Sequence, residues 1–369
     1  LLMSDDYISN LNWLPRLSDE KKIVSNLKKG KDKEKIKYLL ELSNYNLNEE
    51  SLNFIKNFNI KKGSIFKNLN IFFISNITSN FLADRLCFSI LKHKINLKIK
   101  EINVNNLYEI FNLVLPNNID YIFLNFDLRK FDEIKNYDIS NDNLKLKKKI
   151  IDQLLKVISF LKKKNTNILL SNFCYQNDYI FGNYTYIVNK GINFLVDELN
   201  RDLGKISVKT NNFYIFDLKS ISNQVGNYNF NDDVIFNLTK INYSLKYNNY
   251  IAERLSNFIA NLAGRIKKVI VLDLDNTIWG GILGDDGYKN LNLDVNNPVG
   301  EAFINFQKQI LNYKKTGIIL TVCSKNYEKN AIEPFKKHPD MIIKQEDISY
   351  FCANFNDKAK NITIIKEFL

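Results

Sequence analysis

Four successive apolar residues, Val269 to Leu272, run straight into Asp273, and no other stretch of the 369-residue chain constrains its fold as tightly. A second acid, Asp275, stands two places on, and Thr277 two beyond that. An unbroken apolar run of this length fits a parallel strand buried on both faces. Such strands belong to open α/β sheets, where ligands bind beyond the carboxyl ends of the strands. Two acids at that place repel each other unless a cation or a shared proton holds them. A hard divalent ion such as Mg²⁺, held by Asp273 and Asp275, resolves the conflict most simply.

The flanking segments supply further parts. Ile318 to Cys323 predicts a second buried strand, followed by Ser324, Lys325 and Asn326. A hydroxyl and backbone N–H groups at a strand-to-helix turn can hold phosphoryl oxygens. Between the two strands, Pro298 to Lys315 carries Phe303, Phe306, Ile310 and Tyr313 at helical spacing and stops at Gly317. Strand, helix and strand in this order imply a right-handed crossover. Lys358 opens the last helical pattern and is the candidate cation for balancing charge around Asp273; a solvated surface lysine is the plainer alternative in so lysine-rich a chain.

Asp273, Asp275 and Thr277 after a buried strand resemble the signature of the haloacid dehalogenase-like aspartate phosphotransferases. The resemblance implies that Asp273 attacks phosphorus as a carboxylate. It also implies that Asp275 protonates the leaving oxygen and later takes a proton from water. Mg²⁺ would be shared by these two residues, with the backbone carbonyl of Asp275 as a ligand. The wording from Leu272 to Gly281, then Gly284 to Gly287, Gly300 to Phe303, Val322 to Asn326, His338-Pro339 and Asn354 with Asp357-Lys358, is closer still to the FkbH-like proteins. This resemblance is dense from about 266 to 361. It implies a Mg²⁺-dependent acyl and phosphoryl transfer, in which a glyceryl unit from 1,3-bisphosphoglycerate is loaded onto the phosphopantetheine arm of an acyl carrier protein. Thr277, Ser324, Lys325 and Asn326 would then bind phosphate, and Ser324 and Lys358 would assist catalysis. Cys323 would carry the acyl group if nearby cations lowered its pKa, with Cys352 second and an inert core thiol the alternative. A simpler phosphatase acting on a small metabolite, or an inactive scaffold for carrier proteins, are the competing readings.

Upstream, Ile71 to Ile74, Tyr121 to Leu124, Asn167 to Leu170 and Phe213 to Leu218 read as strands, separated by helices near 79–92, 144–163 and 188–202. The expected fold class is therefore α/β with two parallel, doubly wound domains. A helical segment over 1–62 precedes an α/β domain over 63–242, a helical connection covers 243–265, and the Asp273 domain follows over 266–369. In FkbH-like proteins the first α/β domain resembles the SGNH-hydrolase fold. A Ser-His-Asp relay requires a histidine within reach of its serine, and none exists between His93 and His338. Ser75, Asn76, Asn125 and Asp217 are left as strand-end residues that either line a binding cleft or cap their strands.

Composition narrows the remaining choices. The chain has 52 Lys and Arg against 40 Asp and Glu, a net charge of +12, spread over Lys/Asn/Ile-rich sequence without a recognisable nucleic-acid module. Four cysteines lack the paired spacing of a zinc site or disulfide framework, and two histidines exclude a His-rich metal centre. No run approaches the ~18 apolar residues of a membrane span, so a cytoplasmic protein is expected. Superfamily members carry a further acidic pair after another strand; here the sequence stops at Leu369 and opens unusually with Leu1-Leu2-Met3. A fragment or shortened relative, with at least one carboxylate ligand of Mg²⁺ missing, is the expectation.

Overall fold

The computed structural model describes residues 15–56, 65–162, 166–178 and 180–369. The opening Leu1-Leu2-Met3 and the boundary expected between residues 62 and 63 lie outside them. Contacts divide the chain between Arg265 and Ile266 into two units.

The first unit is built on a five-stranded parallel sheet of order β2-β1-β3-β4-β5, with β1 Lys67–Ser75, β2 Ile95–Asn103, β3 Tyr121–Asn125, β4 Asn167–Ser171 and β5 Phe213–Phe216. Side chains alternate across each strand, so β1 feeds both layers. Phe72 and Ile74 pack under helices Asn143–Lys162 and Ile192–Lys209, while Ile71 and Phe73 pack under helices Asn80–Ser89, Leu218–Val225 and Asn248–Leu262. Helices Glu20–Lys29, Asp32–Leu42 and Glu49–Lys56 gather Leu27, Leu39 and Leu42 into a smaller core with Phe66, Phe88 and Leu91.

In this unit two strands differ from expectation, and the helix expected near 188–202 runs from Ile192 to Lys209. β2 is an edge strand whose Lys98 and Lys100 break its apolar pattern, so its sequence lacks the continuous run of a central strand. β5 ends at Phe216 because Asp217 turns away to cap the next helix, accepting a hydrogen bond from Ser220 N at 3.0 Å.

The second unit has a three-stranded parallel sheet, β6 Val269–Leu272, β7 Ile319–Ser324 and β8 Tyr350–Ala353, in the order β6-β7-β8. Its core joins Leu272, Leu274, Trp279, Ile304, Val322 and Phe335. β6 is not buried on both faces as its apolar run suggests. Among the described residues it pairs with β7 alone, which leaves Val271 40% exposed. β8 does not show in the apolar pattern, because Tyr350 to Ala353 is too short to stand out from its polar flanks.

Helix Pro298–Lys315 has the expected bounds, and Phe303 and Ile310 pack on the core as expected, but the inward face is turned away from Phe306 and Tyr313. Ile304, Gln307 and Ile310 are buried, whereas Phe306 and Tyr313 are exposed. Gln307 explains the rotation. Its Nε2 donates to Ile278 O at 2.7 Å, and its Oε1 accepts from Ile342 N and Ile343 N at 2.9 and 3.0 Å. A polar residue satisfied in this way sits at the centre of a buried face, where apolar periodicity alone cannot place it.

Candidate active site

Asp273 and Asp275 leave the carboxyl end of β6, and Ser324 leaves that of β7; Leu272 and Val322 stand opposite each other in register. The sheet thereby brings the three side chains to one edge. Lys358 joins them from the first turn of helix Lys358–Phe368, which Asp357 caps by accepting from Ala359 N and Lys360 N. Its Nζ donates to Asp273 Oδ2 at 2.6 Å. Asp273 Oδ1 accepts from Leu274 N at 2.9 Å, and the Ser324 hydroxyl also hydrogen-bonds the carboxylate. Partial burial pushes the pKa of Asp273 up, but Lys358, the Leu274 N–H and Ser324 together outweigh it and hold the carboxyl below its ordinary value.

Asp275 is positioned by a separate set of donors. Oδ1 accepts from Trp279 Nε1 and from Leu283 N, both at 3.1 Å, and Oδ2 accepts from Asn326 Nδ2 at 2.8 Å. Asn326 also donates to Ser324 Oγ at 3.2 Å, so one amide links the two strand ends. Thr277 donates to the backbone carbonyl of Asp275 at 3.3 Å. Trp279 is fully buried, which makes it a support for Asp275 and part of the core. The turn that follows Asp275 places Asn276 at φ 52° and Gly281 at φ 102°, and Asn276 Oδ1 accepts from Gly281 N at 2.9 Å. A Cβ at Gly281 would lie 2.7 Å from Asp286 Oδ2.

Lys325 is exposed. Cys323 points to the opposite face of β7 from Ser324, into a small cluster with Cys352 and Ile365. Burial raises its pKa, the neighbouring Cys352 adds to this, and the lowering by Lys358 does not compensate. The one cation that acts on this thiol, Lys358, is thus outweighed by burial and by Cys352. Cys352 is likewise buried, with a raised pKa caused first by burial.

Mg²⁺ fits the donors present. Asp273 is half-exposed, and after Leu274, Lys358 and Ser324 its carboxylate retains acceptor capacity. The Asp275 side chain is occupied by its three donors, which leaves its backbone carbonyl as the simpler ligand. Among the described residues no group of three or more His, Cys, Asp or Glu could hold a metal. Mg²⁺ commonly takes only one or two carboxylates and completes its shell with water and phosphate oxygens.

The strand ends of the first unit are internally satisfied. Ser75 is fully buried and donates to Ile77 O at 2.8 Å or Asn103 Oδ1 at 2.7 Å. Asn76 exchanges two hydrogen bonds with the backbone of Asp127, Asn125 accepts from Ser171, and Asp217 accepts from Asn172. Each acts as a cap or a brace. Among the described residues no helix is long and apolar enough to cross a membrane.

No curated protein matches the chain. A solved structure does: the N-terminal part of the protein BF1531 from Bacteroides fragilis, containing a phosphatase domain and complexed with Mg. It is 30% identical, with a TM-score of 0.73, and the match covers 82% of this chain and 81% of that one. An acetyl xylan esterase, AlAXEase, matches at 15% identity and a TM-score of 0.33, over 51% of this chain and 98% of its own. The protein YXIM from Bacillus subtilis matches at 14% identity and a TM-score of 0.33, over 54% of this chain and 58% of its own. The model of the FkbH N-terminal domain matches residues 70–260, more than half of the sequence, and the chain thus belongs to the FkbH family.

Proposed function

We propose that the second unit catalyses phosphoryl transfer through Asp273, with release of phosphate from a small phosphorylated compound. The observation that carries this reading is the Lys358–Asp273–Ser324 contact, which keeps one strand-end carboxylate ionised and aimed at a polar edge. An Asp273 oxygen attacks phosphorus and forms an aspartyl-phosphate while the bond to the leaving oxygen breaks. Asp275 gives the leaving oxygen a proton, then takes one from the water that attacks the aspartyl-phosphate, and inorganic phosphate departs. Ser324 and Asn326 are placed to hold phosphoryl oxygens, and Lys358 offsets the charge that gathers around them. Bound Mg²⁺, held by Asp273 and the carbonyl of Asp275, would neutralise phosphoryl charge. The Mg-bound phosphatase-domain relative supports this cofactor.

Family membership extends the reading to a glyceryl-type unit drawn from 1,3-bisphosphoglycerate and passed to the thiol of an acyl carrier protein. The burial of Cys323 favours a second reading, the release of phosphate from a metabolite without acyl carriage on the enzyme. Phosphate release from acetyl phosphate in Mg²⁺ buffer tests what the two share. Asp273→Asn should reduce it to background, since an amide is a poor nucleophile at phosphorus; near-normal turnover would remove Asp273 from its role.

A further inference from the structure

The helix that carries Lys358 presents a narrow inner face. Of its 11 residues, Lys358–Phe368, only Asn361 and Ile365 are buried, three and seven places after Lys358 on the same side. Ile365 packs with Cys323 and Cys352. Asn361 is 1% exposed, and its Oδ1 finds no hydrogen-bond partner among the described residues. A buried amide with an unmet oxygen costs stability, and an aliphatic side chain at this place would avoid the cost. The reason for an amide here lies in its other atom.

Asn361 Nδ2 donates to Asn354 Oδ1 at 2.8 Å. Asn354 follows the end of β8, and three further contacts fix it there. Its N–H donates to Ser324 O at 3.1 Å, its Oδ1 also accepts from Asn356 N at 3.0 Å, and its Nδ2 lies 3.5 Å from Cys352 Sγ. A chain of hydrogen bonds thus runs from the end of β7 through Asn354 to the helix, one turn past Lys358 itself. The lysine stem is flexible, so the place of its ammonium depends on how the helix sits. Apolar contact through Ile365 alone is non-directional and lets a short helix slide or turn. A hydrogen bond to a residue tied to Ser324 does not.

We propose that Asn361, acting through Asn354, is a positioning residue that sets the Lys358 ammonium against the Asp273 carboxylate, 2.6 Å from Oδ2. Asn354 also holds the backbone of Ser324, so the hydroxyl and the cation that touch Asp273 share one frame. The consequence for turnover rests on the phosphoryl-transfer reading of Asp273; the placement of Lys358 does not.

The test is a double-mutant cycle on the whole chain, with Asn361→Leu and Lys358→Met made singly and together. It is read by the pH–rate profile for acetyl phosphate in Mg²⁺ buffer. Asn361→Leu should lower kcat/KM at pH 7 roughly tenfold and move the acid limb to higher pH, toward that of Lys358→Met. In the Lys358→Met background the same change should alter the rate less than about twofold, because the group it positions is gone. Asn354→Ala, at a half-buried place, should repeat these shifts if Asn361→Leu does not fold. Unmoved acid limbs in both variants, or a loss that recurs undiminished in the Lys358→Met background, would overturn the proposal. Trace acetylation with acetic anhydride, followed by peptide mass spectrometry, reads Lys358 without turnover. In the wild type Lys358 should react several-fold more slowly than the exposed Lys360, and Asn361→Leu should remove that protection while leaving Lys360 unchanged. Equal reactivity of Lys358 in the two proteins would sink the positioning role even where acetyl phosphate is not hydrolysed. A Lys358 that responds in a protein releasing no phosphate would support the positioning role and count against the phosphoryl-transfer reading alone.

Discussion

Asn326 holds Asp275 in place: its Nδ2 lies 2.8 Å from Asp275 Oδ2 and also 3.2 Å from Ser324 Oγ. Because Asn326 follows β7 and Asp275 follows β6, this amide fixes the proposed general acid relative to the proposed phosphate-binding hydroxyl. Removing it as Asn326→Ala leaves Trp279 and Leu283 to hold Asp275 from Oδ1 alone. Loss of a hydrogen bond to a charged group should lower turnover roughly tenfold or more while the strands remain folded. Asn326→Asp should be worse, since it sets a further negative charge against Asp275. Phosphate release together with far-ultraviolet circular dichroism checks both; an Asn326→Ala variant as fast as wild type would show that Asp275 needs no help from β7.

The pH dependence follows from Asp273 and Lys358. Burial alone would raise Asp273; Lys358, the Leu274 N–H and Ser324 bring it below the ordinary carboxyl value of about 3.9. The nucleophile must be ionised, so the acid limb of kcat/KM should lie below that value in the wild type. Lys358→Met removes a cation while burial remains, and the limb should move to higher pH. Turnover at pH 7 should also fall, by on the order of 10²-fold, through lost charge stabilisation. The same depressed pKa contributes stability above the unfolded pKa and loses it as pH falls through the folded one. The stability gap between wild type and Lys358→Met should therefore narrow below about pH 4. A pH–rate profile with an unmoved acid limb would contradict the role given to Lys358.

Much of this site can be read from the sequence, for a physical reason. Residues at the carboxyl ends of parallel strands share one edge of the sheet, so finding β6 and β7 already places Asp273, Asp275 and Ser324 near one another. Lys358 is legible for a related reason, as the opening residue of the helix after β8. What escapes is whatever depends on direction within an element. Trp279 belongs to the signature run, but nothing in the sequence tells that its indole N–H fixes Asp275. Gln307 reads as the polar side of a helix, yet it is the centre of the buried side. β2 and β8 are hidden by lysines and by brevity.

Gln307 gives a prediction about stability. Its side chain serves three backbone groups: the carbonyl of Ile278 near the site and the N–H groups of Ile342 and Ile343. Gln307→Leu nearly preserves volume but strands one acceptor and two donors in a buried place. At about 1–3 kcal/mol for each buried unsatisfied group, the loss should be at least about 3 kcal/mol. Urea unfolding followed by the fluorescence of buried Trp279 measures it. A change below about 1 kcal/mol would mean that water reaches those groups and that Gln307 is not structurally central.

Cys323 separates the two substrate readings. The thiolate is the reactive form of cysteine, and activated thiols are kept near cations with their pKa lowered. Cys323 shows the reverse: burial raises its pKa, Cys352 and Asp273 add to the rise, and its Sγ lies in a cluster with Cys352 and Ile365. Iodoacetamide at pH 7 should leave Cys323 and Cys352 unmodified in the folded protein and label both in urea, as peptide mass spectrometry would show. Cys323→Ala should release phosphate from acetyl phosphate at the wild-type rate. Incubation with 1,3-bisphosphoglycerate should add no phosphoglyceryl or glyceryl mass to the Cys323 peptide. A thioester found there would mean that the cluster opens during turnover, and would return the acyl group to this thiol.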